Sequence, residues 1–273
     1  MLSAAVYILR AQNSAALPAY HGRLTHGAFF AALQDIDPCL SNSIHDELNQ
    51  KPFTVSQILP LRPHLRADET VVNKNELVEW RVTGLNDLMA ECLQTLQPGY
   101  VITLNGLQLK IEKTCLTPDE HDDAGRIRKI DLIAACRSVP QVREICFNFS
   151  APATFRSFER DYPLPLPEFV FPSLAEKWTC NDSANLLTSD KTAVRELAVK
   201  VIPRSWSGNS MVLNVKRNRP KINAFTGKFT YNLEKLTPNE QRLFLLLAQF
   251  AVFSGVGRLT GQGLGRVQIQ YTV

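Results

Sequence analysis

Apolar and polar positions in the first part of the chain predict alternating strands and helices. Predicted strands cover 4–11, 53–61, 77–82 and 100–113, the last with a turn at Asn105-Gly106. Predicted helices contain His26, Phe29, Phe30 and Leu33, then Leu40, Ile44 and Leu48 after Asp37-Pro38, then 86–96. The order strand, helix, strand, strand, helix, strand is that of a ferredoxin-like βαββαβ unit.

A second cycle of the same kind follows a polar segment, 117–126, that is interpreted as a linker. Its predicted strands are 144–150, 211–217, 224–233 and 264–271, and its predicted helices are 169–178 and a helix that begins at Thr237-Pro238 and ends at Ser254-Gly255. The fold class is therefore α+β, with two tandem ferredoxin-like (RRM-like) domains. We expect an N-terminal domain over 1–116 and a C-terminal domain over 117–273.

Composition places the chain among globular proteins. Of 273 residues, 45% are hydrophobic, and the longest nearly apolar stretch, Leu243 to Phe253, is half the length of a membrane span. The N-terminus lacks the pattern of a signal peptide, so we expect a cytoplasmic protein without a membrane partner. The six cysteines lie far apart with no C-x-x-C pair, which excludes the usual zinc and disulfide patterns.

Charge is unevenly distributed along the chain. From Lys191 to the end there are 13 Lys and Arg against three Asp and Glu, whereas the first 190 residues carry 17 against 23. A basic region beside an acidic one predicts a polyanionic partner, such as a nucleic acid, for one surface.

A glycine-rich loop, Gly255 to Gly265, links the last helix to the last strand. Its five glycines, Gly255, Gly257, Gly261, Gly263 and Gly265, allow close backbone approach and an anion-binding nest of N–H groups, and Arg258 and Arg266 add charge for phosphate. The spacing and the helix-to-strand direction exclude a Walker A loop and a dinucleotide-binding loop. A flexible connector is the alternative interpretation.

Several segments, taken in order, resemble the precursor-crRNA-processing endoribonucleases of the RAMP superfamily of CRISPR systems. These segments are LPAYHGRLTHGAFF, IHDELNQKPFTVSQIL, FSAPATFRSF, PLPLPEFVFPSLAEKW, NAFTGKFTY and FAVFSGVGRLTGQGLGR. The resemblance covers nearly the whole chain. It implies tandem ferredoxin-like domains and cleavage of precursor crRNA within each repeat.

Cleavage by attack of the RNA 2′-hydroxyl needs proton carriers and a cation rather than a metal ion or cofactor. Five histidines are candidates: His21, His26, His45, His64 and His121. The resemblance assigns His45 as proton carrier and Lys51 as phosphate stabiliser. Some relatives have a tyrosine fifteen residues before this histidine, where this chain has Phe30, so another group must act. The nearby alternatives are His21, Arg23 and His26.

Substrate binding is expected from basic residues in the C-terminal half. The predicted RNA contacts are Arg204, Lys216, Arg217, Arg219, Lys221 and Lys228, together with Arg23, Arg258, Arg266 and the loop glycines. Phe225, Phe229 and Tyr231 are expected to lie in the core rather than to stack on bases.

The leading hypothesis is a metal-independent endoribonuclease that leaves 5′-hydroxyl and 2′,3′-cyclic phosphate ends. Its partner is CRISPR repeat RNA, with a CRISPR effector complex as a further candidate, and it acts as a monomer or homodimer. The alternatives are a non-catalytic RNA-binding RAMP subunit and a regulator that binds a phosphate or nucleotide in the glycine loop.

Overall fold

The computed structural model describes residues 1–46, 50–60, 69–157, 159–215 and 221–273, without the side chains of residues 45, 46 and 60. The chain forms two compact units. Unit 1 comprises Met1–Arg126 and Gly261–Gly263, and unit 2 comprises Ile127–Thr260 and Leu264–Val273.

Unit 1 contains eight strands and three helices in its described residues, and a ninth strand spans its end. The strands are β1 (Leu2–Ala11), β2 (Ala15–Pro18), β3 (Phe53–Val55), β4 (Leu59–Pro60), β5 (Glu69–Val72), β6 (Leu77–Gly84), β7 (Val101–Leu104), β8 (Leu107–Cys115) and β9 (Gly125–Ile127). The helices are α1 (Gly22–Ile36), α2 (Pro38–Asp46) and α3 (Asp87–Thr95).

The main sheet of unit 1 has the strand order of a ferredoxin-like fold. Its order is β3-β6-β1-β8-β7, and each of these neighbouring pairs is antiparallel. The central strand β1 carries Tyr7 and Leu9 into a core with Phe29 and Leu33 of α1 and Trp80 of β6, all at most 1% exposed. The helical spacing that predicted α1 therefore marks its buried face, and the fold class is confirmed.

Unit 2 repeats this architecture with longer outer strands. Its strands are β10 (Glu144–Ala153), β11 (Phe155–Ser157), β12 (Arg160–Tyr162), β13 (Ile202–Leu213), β14 (Ile222–Asn232) and β15 (Val267–Thr272). Its helices are α4 (Lys129–Ser138), α5 (Pro167–Cys180), α6 (Lys191–Ala198) and α7 (Pro238–Ser254). A short 3₁₀ helix covers Thr260–Gln262.

The four-stranded sheet of unit 2, in the order β13-β14-β10-β15, has one aromatic face. Phe225, Phe229 and Tyr231 of β14 are at most 3% exposed, as predicted, and Phe147 of β10 contacts Tyr231 edge-on. Helix α7 begins with the predicted capping box, in which Thr237 accepts from the Glu240 amide and Glu240 accepts from the Thr237 amide.

Several elements are absent from the sequence prediction or misplaced in it. The antiparallel pair of β2 and β5, the hairpin of β11 and β12, and helices α4 and α6 were missed. The strand predicted over 211–217 was wrong in its bounds, because β13 runs from Ile202 to Leu213. Its serines, glycine and asparagine have no apolar alternation, so pairing with β14 rather than local pattern makes it a strand.

The polar segment 117–126 belongs to unit 1. Ala124 packs against Val6 and Cys115, and the Arg81 side chain donates to the Asp123 carbonyl. Glu120 accepts from the Thr117 and Leu116 amides and the Thr117 hydroxyl, which lowers the pKa of its carboxyl. The acidic run is thus a hydrogen-bonded turn. The domain ranges 1–116 and 117–273 stay predictions.

Membrane insertion through helices has no support in the described parts of the chain. No helix there has both the length and the apolar composition needed to cross a bilayer.

Candidate functional site

His21 precedes α1 and has both ring nitrogens engaged by the backbone of unit 1. Its Nδ1 lies 3.0 Å from the Pro18 carbonyl oxygen, and its Nε2 accepts from the Ile58 amide at 2.9 Å. A carbonyl only accepts, so Nδ1 carries the proton and Nε2 does not. Burial lowers the pKa of His21. This histidine is held neutral, and its geometry favours a structural role.

His26, one turn further along α1, has a different environment. Its Nδ1 lies 2.6 Å from the Gly261 carbonyl oxygen, which only accepts, so Nδ1 again carries a proton. Its ring lies edge-on to Phe30 at 4.9 Å and stacks near Phe53 at 5.7 Å between centroids. Phe30, where some relatives have tyrosine, is thus in direct contact with a histidine.

The segment Gly261–Gly263 is held in unit 1 by three side chains of that unit. Besides His26, the Tyr20 hydroxyl donates to the Gln262 carbonyl at 2.6 Å, and Gln57 lies beside Gly263. A Cβ on Gly22 would come within 1.8 Å of the Gln262 carbonyl oxygen, so the first turn of α1 must carry glycine here. Tyr20 and Gln57 were not predicted as site residues.

The side chain of Lys51 reaches the C-terminal turn of α2, the helix that includes His45. Its Nζ donates to the Ile44 carbonyl at 2.5 Å, as expected for a cation at a helix C-terminus. The ammonium is therefore next to the peptide unit that joins residues 44 and 45. The side chain of His45 lies outside the described residues, as does His64.

The parts of the glycine-rich loop that belong to unit 2, residues 255–260 and 264–265, are held by backbone hydrogen bonds. Amides of Gly255, Val256, Arg258, Leu264 and Gly265 all donate to carbonyls of unit 2. A Cβ on Gly265 would lie 2.0 Å from the Val256 carbonyl oxygen, and one on Gly257 would lie 2.3 Å from that of Thr154. These amides do not form the expected anion-binding nest, because they hold the loop together.

Lys177 of α5 is the buried cation that supports this loop. The side chain is 2% exposed, and Nζ donates to the carbonyls of Ser254 and Gly255 at 3.3 and 3.1 Å and to the Thr260 hydroxyl at 3.4 Å. Burial lowers its pKa to about 7. Lys177 thus caps the C-terminus of α7 where the loop begins.

The predicted RNA-binding cations of unit 2 differ in their surroundings. Arg258 is ion-paired with Asp161 of β12, and Arg204 pairs with Glu144 at 2.5 Å. Lys221 and Lys228 are exposed, and Arg266 is half-buried. Lys216, Arg217 and Arg219 lie outside the described residues. In unit 1, Arg23 is exposed on α1.

Lys177 is a residue that sequence reasoning missed although a signal was present. It follows Leu174 by three residues and Val170 by seven, so it falls on the apolar stripe of α5. A lysine on such a stripe is buried with partners or reaches past the core. The sequence could indicate the position but not the carbonyl oxygens that it meets.

Comparisons with known proteins agree with this architecture. Residues 147–267 match the model of the family described as CRISPR-associated endoribonuclease Cas6. A solved Cas6 product complex is 26% identical, with 99% of this chain and 100% of that chain covered and a TM-score of 0.79. Cas6 of Thermus thermophilus is 26% identical, with 99% and 98% covered and a TM-score of 0.73.

More distant structures share the fold alone. The product of a Cas6-related gene from Pyrococcus furiosus is 12% identical, with 98% of each chain covered and a TM-score of 0.61. No curated protein sequence is significantly similar to the chain. The expected resemblance and the tandem ferredoxin-like fold are confirmed.

Proposed function

We propose that this protein, which is of the Cas6 type of CRISPR-associated proteins, binds CRISPR repeat RNA and cleaves precursor crRNA without a metal ion. The observation that carries the proposal is full-length similarity, at 26% identity, to a Cas6 solved with its product. The match of 147–267 to an endoribonuclease family supports it.

The proposed reaction is transesterification by the RNA itself. The 2′-hydroxyl loses a proton and attacks the adjacent phosphorus, and the 5′-oxygen leaves as it gains a proton. The products are a 2′,3′-cyclic phosphate and a 5′-hydroxyl. Proton carriers and a cation for the developing phosphorane charge are sufficient for this chemistry.

His45 is the proposed proton carrier and Lys51 the proposed phosphate stabiliser. The hydrogen bond from Lys51 to the Ile44 carbonyl supports this pairing, because it brings the ammonium to the turn of α2 that contains His45. In this role the ammonium exchanges a carbonyl acceptor for a phosphate oxygen, with which it makes a stronger, charge-assisted bond.

His26 is the proposed second proton carrier, in place of the absent tyrosine. Its contact with Phe30 supports this, since the ring occupies the neighbourhood in which a tyrosine hydroxyl would lie. The bond from Nδ1 to the Gly261 carbonyl orients the ring, and Nε2 is the nitrogen that we propose carries the proton. His21 is less suited, because protonation of Nε2 would break its bond from Ile58.

RNA binding is assigned to the basic residues, with shape and backbone contacts dominating. Lys221 and Lys228 are exposed in unit 2 and Arg23 in unit 1. Lys216, Arg217 and Arg219 retain their predicted role in phosphate contacts. Arg258 positions the loop through its ion pair with Asp161. The loop is shaped by its glycines, which are Gly255, Gly257, Gly261, Gly263 and Gly265. Arg204 and Arg266 lie at the sheet of unit 2.

Cleavage of cognate repeat RNA in EDTA tests this function directly. Wild type should cleave at an undiminished rate in EDTA, and a 2′-deoxy residue at the scissile position should abolish cleavage while binding is kept. His45→Ala should lower the cleavage rate by about 10²- to 10⁴-fold, the range for loss of one general acid or base. Lys51→Ala should slow cleavage with less effect on affinity.

The outcomes of these cleavage and binding experiments distinguish the rival functions. Full cleavage by His45→Ala would remove that histidine from the mechanism. Tight repeat binding by wild type without cleavage would support a non-catalytic RAMP subunit. Weak RNA binding that is insensitive to salt would contradict the proposed function altogether.

A further inference from the structure

Trp206 of β13 is the exposed tryptophan of the chain. Of the three tryptophans, Trp80 and Trp178 are 0% exposed, whereas Trp206 is 62% exposed. A single exposed apolar side chain is ordinary on protein surfaces. Its orientation and surroundings therefore decide whether it forms a site.

The indole of Trp206 is held in a fixed plane by the core. Trp206 pairs with Phe229 across the strands, and their rings lie nearly parallel, at 16° with 5.8 Å between centroids. Phe229 is 2% exposed and contacts Phe225 and Tyr231. One face of the indole rests on a rigid ring, which leaves the opposite face to solvent.

Two glycines, one on each strand, lie beside the indole. Gly208 follows Trp206 on the same face of β13 and lies opposite Gly227 of β14. A Cβ on Gly208 would come within 2.1 Å of the Thr226 carbonyl oxygen, and one on Gly227 within 2.2 Å of that of Ser207. Glycine is thus required at both positions, so neither adds a side chain beside the indole, and the Phe225 ring lies 2.9 Å from the Gly208 Cβ position.

The surroundings fit a nucleobase better than a protein surface. A docking surface for a protein needs a broad apolar patch, but the residues near Trp206 on β13 are small or polar. They are Ser205, Ser207, Gly208, Asn209 and Ser210. Arg204 on the same strand is exposed and pairs with Glu144, and Lys228, whose register partner is Ser207, lies on the opposite face of the sheet. An exposed flat ring supported by a buried aromatic ring is the arrangement that stacks a base.

We propose that Trp206 is a stacking platform for an unpaired base of the bound RNA. The inference rests on the proposed function, namely that the chain binds repeat RNA. Bases of a duplex are already stacked, so the base belongs to a single-stranded part of the repeat. Stacking of this kind tolerates any base, so Trp206 adds affinity and register rather than sequence choice.

Tryptophan fluorescence tests this directly, because the other two tryptophans are buried. Repeat RNA at saturation should quench emission and protect Trp206 from acrylamide. Inorganic polyphosphate, which supplies charge without bases, should do neither. The Trp206→Phe variant retains only the buried tryptophans and should lose the RNA-dependent signal while it keeps most of the affinity.

RNA affinity measured by gel shift is the second test of the stacking site. Trp206→Ala should weaken repeat binding about 5- to 100-fold, the range for loss of one base–aromatic stack. Val212→Ala is the matched control, since Val212 is 61% exposed on the same strand, and it should bind RNA as wild type does.

These experiments distinguish an error in the stacking site from an error in the proposed function. The stacking site alone would be overturned if wild type bound RNA tightly with unchanged acrylamide access and Trp206→Ala bound RNA with wild-type affinity. This face would then be left to a protein partner. Absence of salt-sensitive RNA binding by wild type would overturn the proposed function and the stacking site together.

Discussion

His21 and His26 lie five residues apart in unit 1, yet their ring nitrogens are used differently. Nε2 of His21 accepts a backbone N–H, so its protonation would cost a buried hydrogen bond. Nδ1 of His26 donates to the Gly261 carbonyl, and Nε2 is the nitrogen proposed to gain and lose a proton. The residue type is the same, and the hydrogen-bond partners decide the role.

Replacement of His26 separates proton transfer from anchoring of Gly261. Asparagine can donate to the Gly261 carbonyl but cannot carry a proton. We expect His26→Asn to keep RNA affinity and to slow single-turnover cleavage by about 10²-fold or more, with loss of one limb of the pH–rate profile. His26→Ala should impair both. Near-normal cleavage by the asparagine variant would reduce His26 to an anchor.

Lys177 predicts a pH dependence of stability. Its folded pKa of about 7 lies below the ordinary 10.5, so between these values the unfolded chain binds a proton that the folded chain does not. Stability should therefore rise with pH across this window, by about 1.4 kcal/mol per pH unit from this group. The groups facing it are Glu176 and the acceptors on Ser254, Gly255 and Thr260.

Denaturant unfolding of Lys177→Met at pH 7 and pH 9.5 measures this contribution. Lys177→Met should lack the part of the pH-dependent rise in unfolding free energy that Lys177 contributes in the wild type. Lys191→Met is the control, because Lys191 pairs with Glu176 at an exposed site, and it should keep the wild-type slope. Parallel pH dependences of all three proteins would contradict a depressed pKa for Lys177.

At the scale of elements, replacement of two glycines of α1 by alanine should have opposite effects on stability. A Cβ on Gly22 would collide with Gln262, whereas a Cβ on Gly27 would meet nothing within 4 Å. Gly22→Ala should lower the unfolding free energy by about 1–3 kcal/mol through overpacking. Gly27→Ala should raise it by about 0.5–1 kcal/mol through helix propensity.

Thermal and denaturant unfolding of the two variants give the comparison. Because Gly22 contacts the Gly261–Gly263 segment, Gly22→Ala should also slow RNA cleavage, while Gly27→Ala should leave it unchanged. Equal stability of the two variants would show that the first turn of α1 can move away from Gln262.

Strongly patterned elements were predictable and weakly patterned ones were not. Helix α7 combines a capping box, a proline at its first position and an apolar body, so its bounds follow from local chemistry. β13 has no such pattern, and antiparallel pairing of eleven of its residues with β14 makes it a strand. Hairpins such as that of β11 and β12 are likewise short enough for tertiary contacts to decide.

For the whole molecule, the uneven charge predicts salt-dependent RNA binding. Thirteen Lys and Arg against three acidic residues after position 190 should neutralise several phosphates and release counterions. Repeat affinity measured from 50 to 300 mM salt should fall steeply on a logarithmic plot. Lys228→Ala should reduce the slope by about one.

Lys200→Ala is the control for this measurement. Lys200 already pairs with Glu240 at 3.1 Å, so its loss should leave the slope nearly unchanged. A slope that Lys228→Ala does not alter would remove Lys228 from the RNA contacts, and a flat wild-type slope would contradict a polyanionic partner.

The sequence alone determined the tandem ferredoxin-like architecture, the basic C-terminal region and the resemblance to crRNA-processing endoribonucleases. These depend on periodicity, charge and motifs, which are local or additive along the chain. Tertiary structure decided that the loop amides donate to backbone carbonyls, that Lys177 supports the loop, that the rings of His21 and His26 have different hydrogen-bond partners, and that Trp206 is exposed. Each depends on which atoms lie within hydrogen-bonding or stacking distance, and residues remote in sequence supply those atoms only in the folded chain.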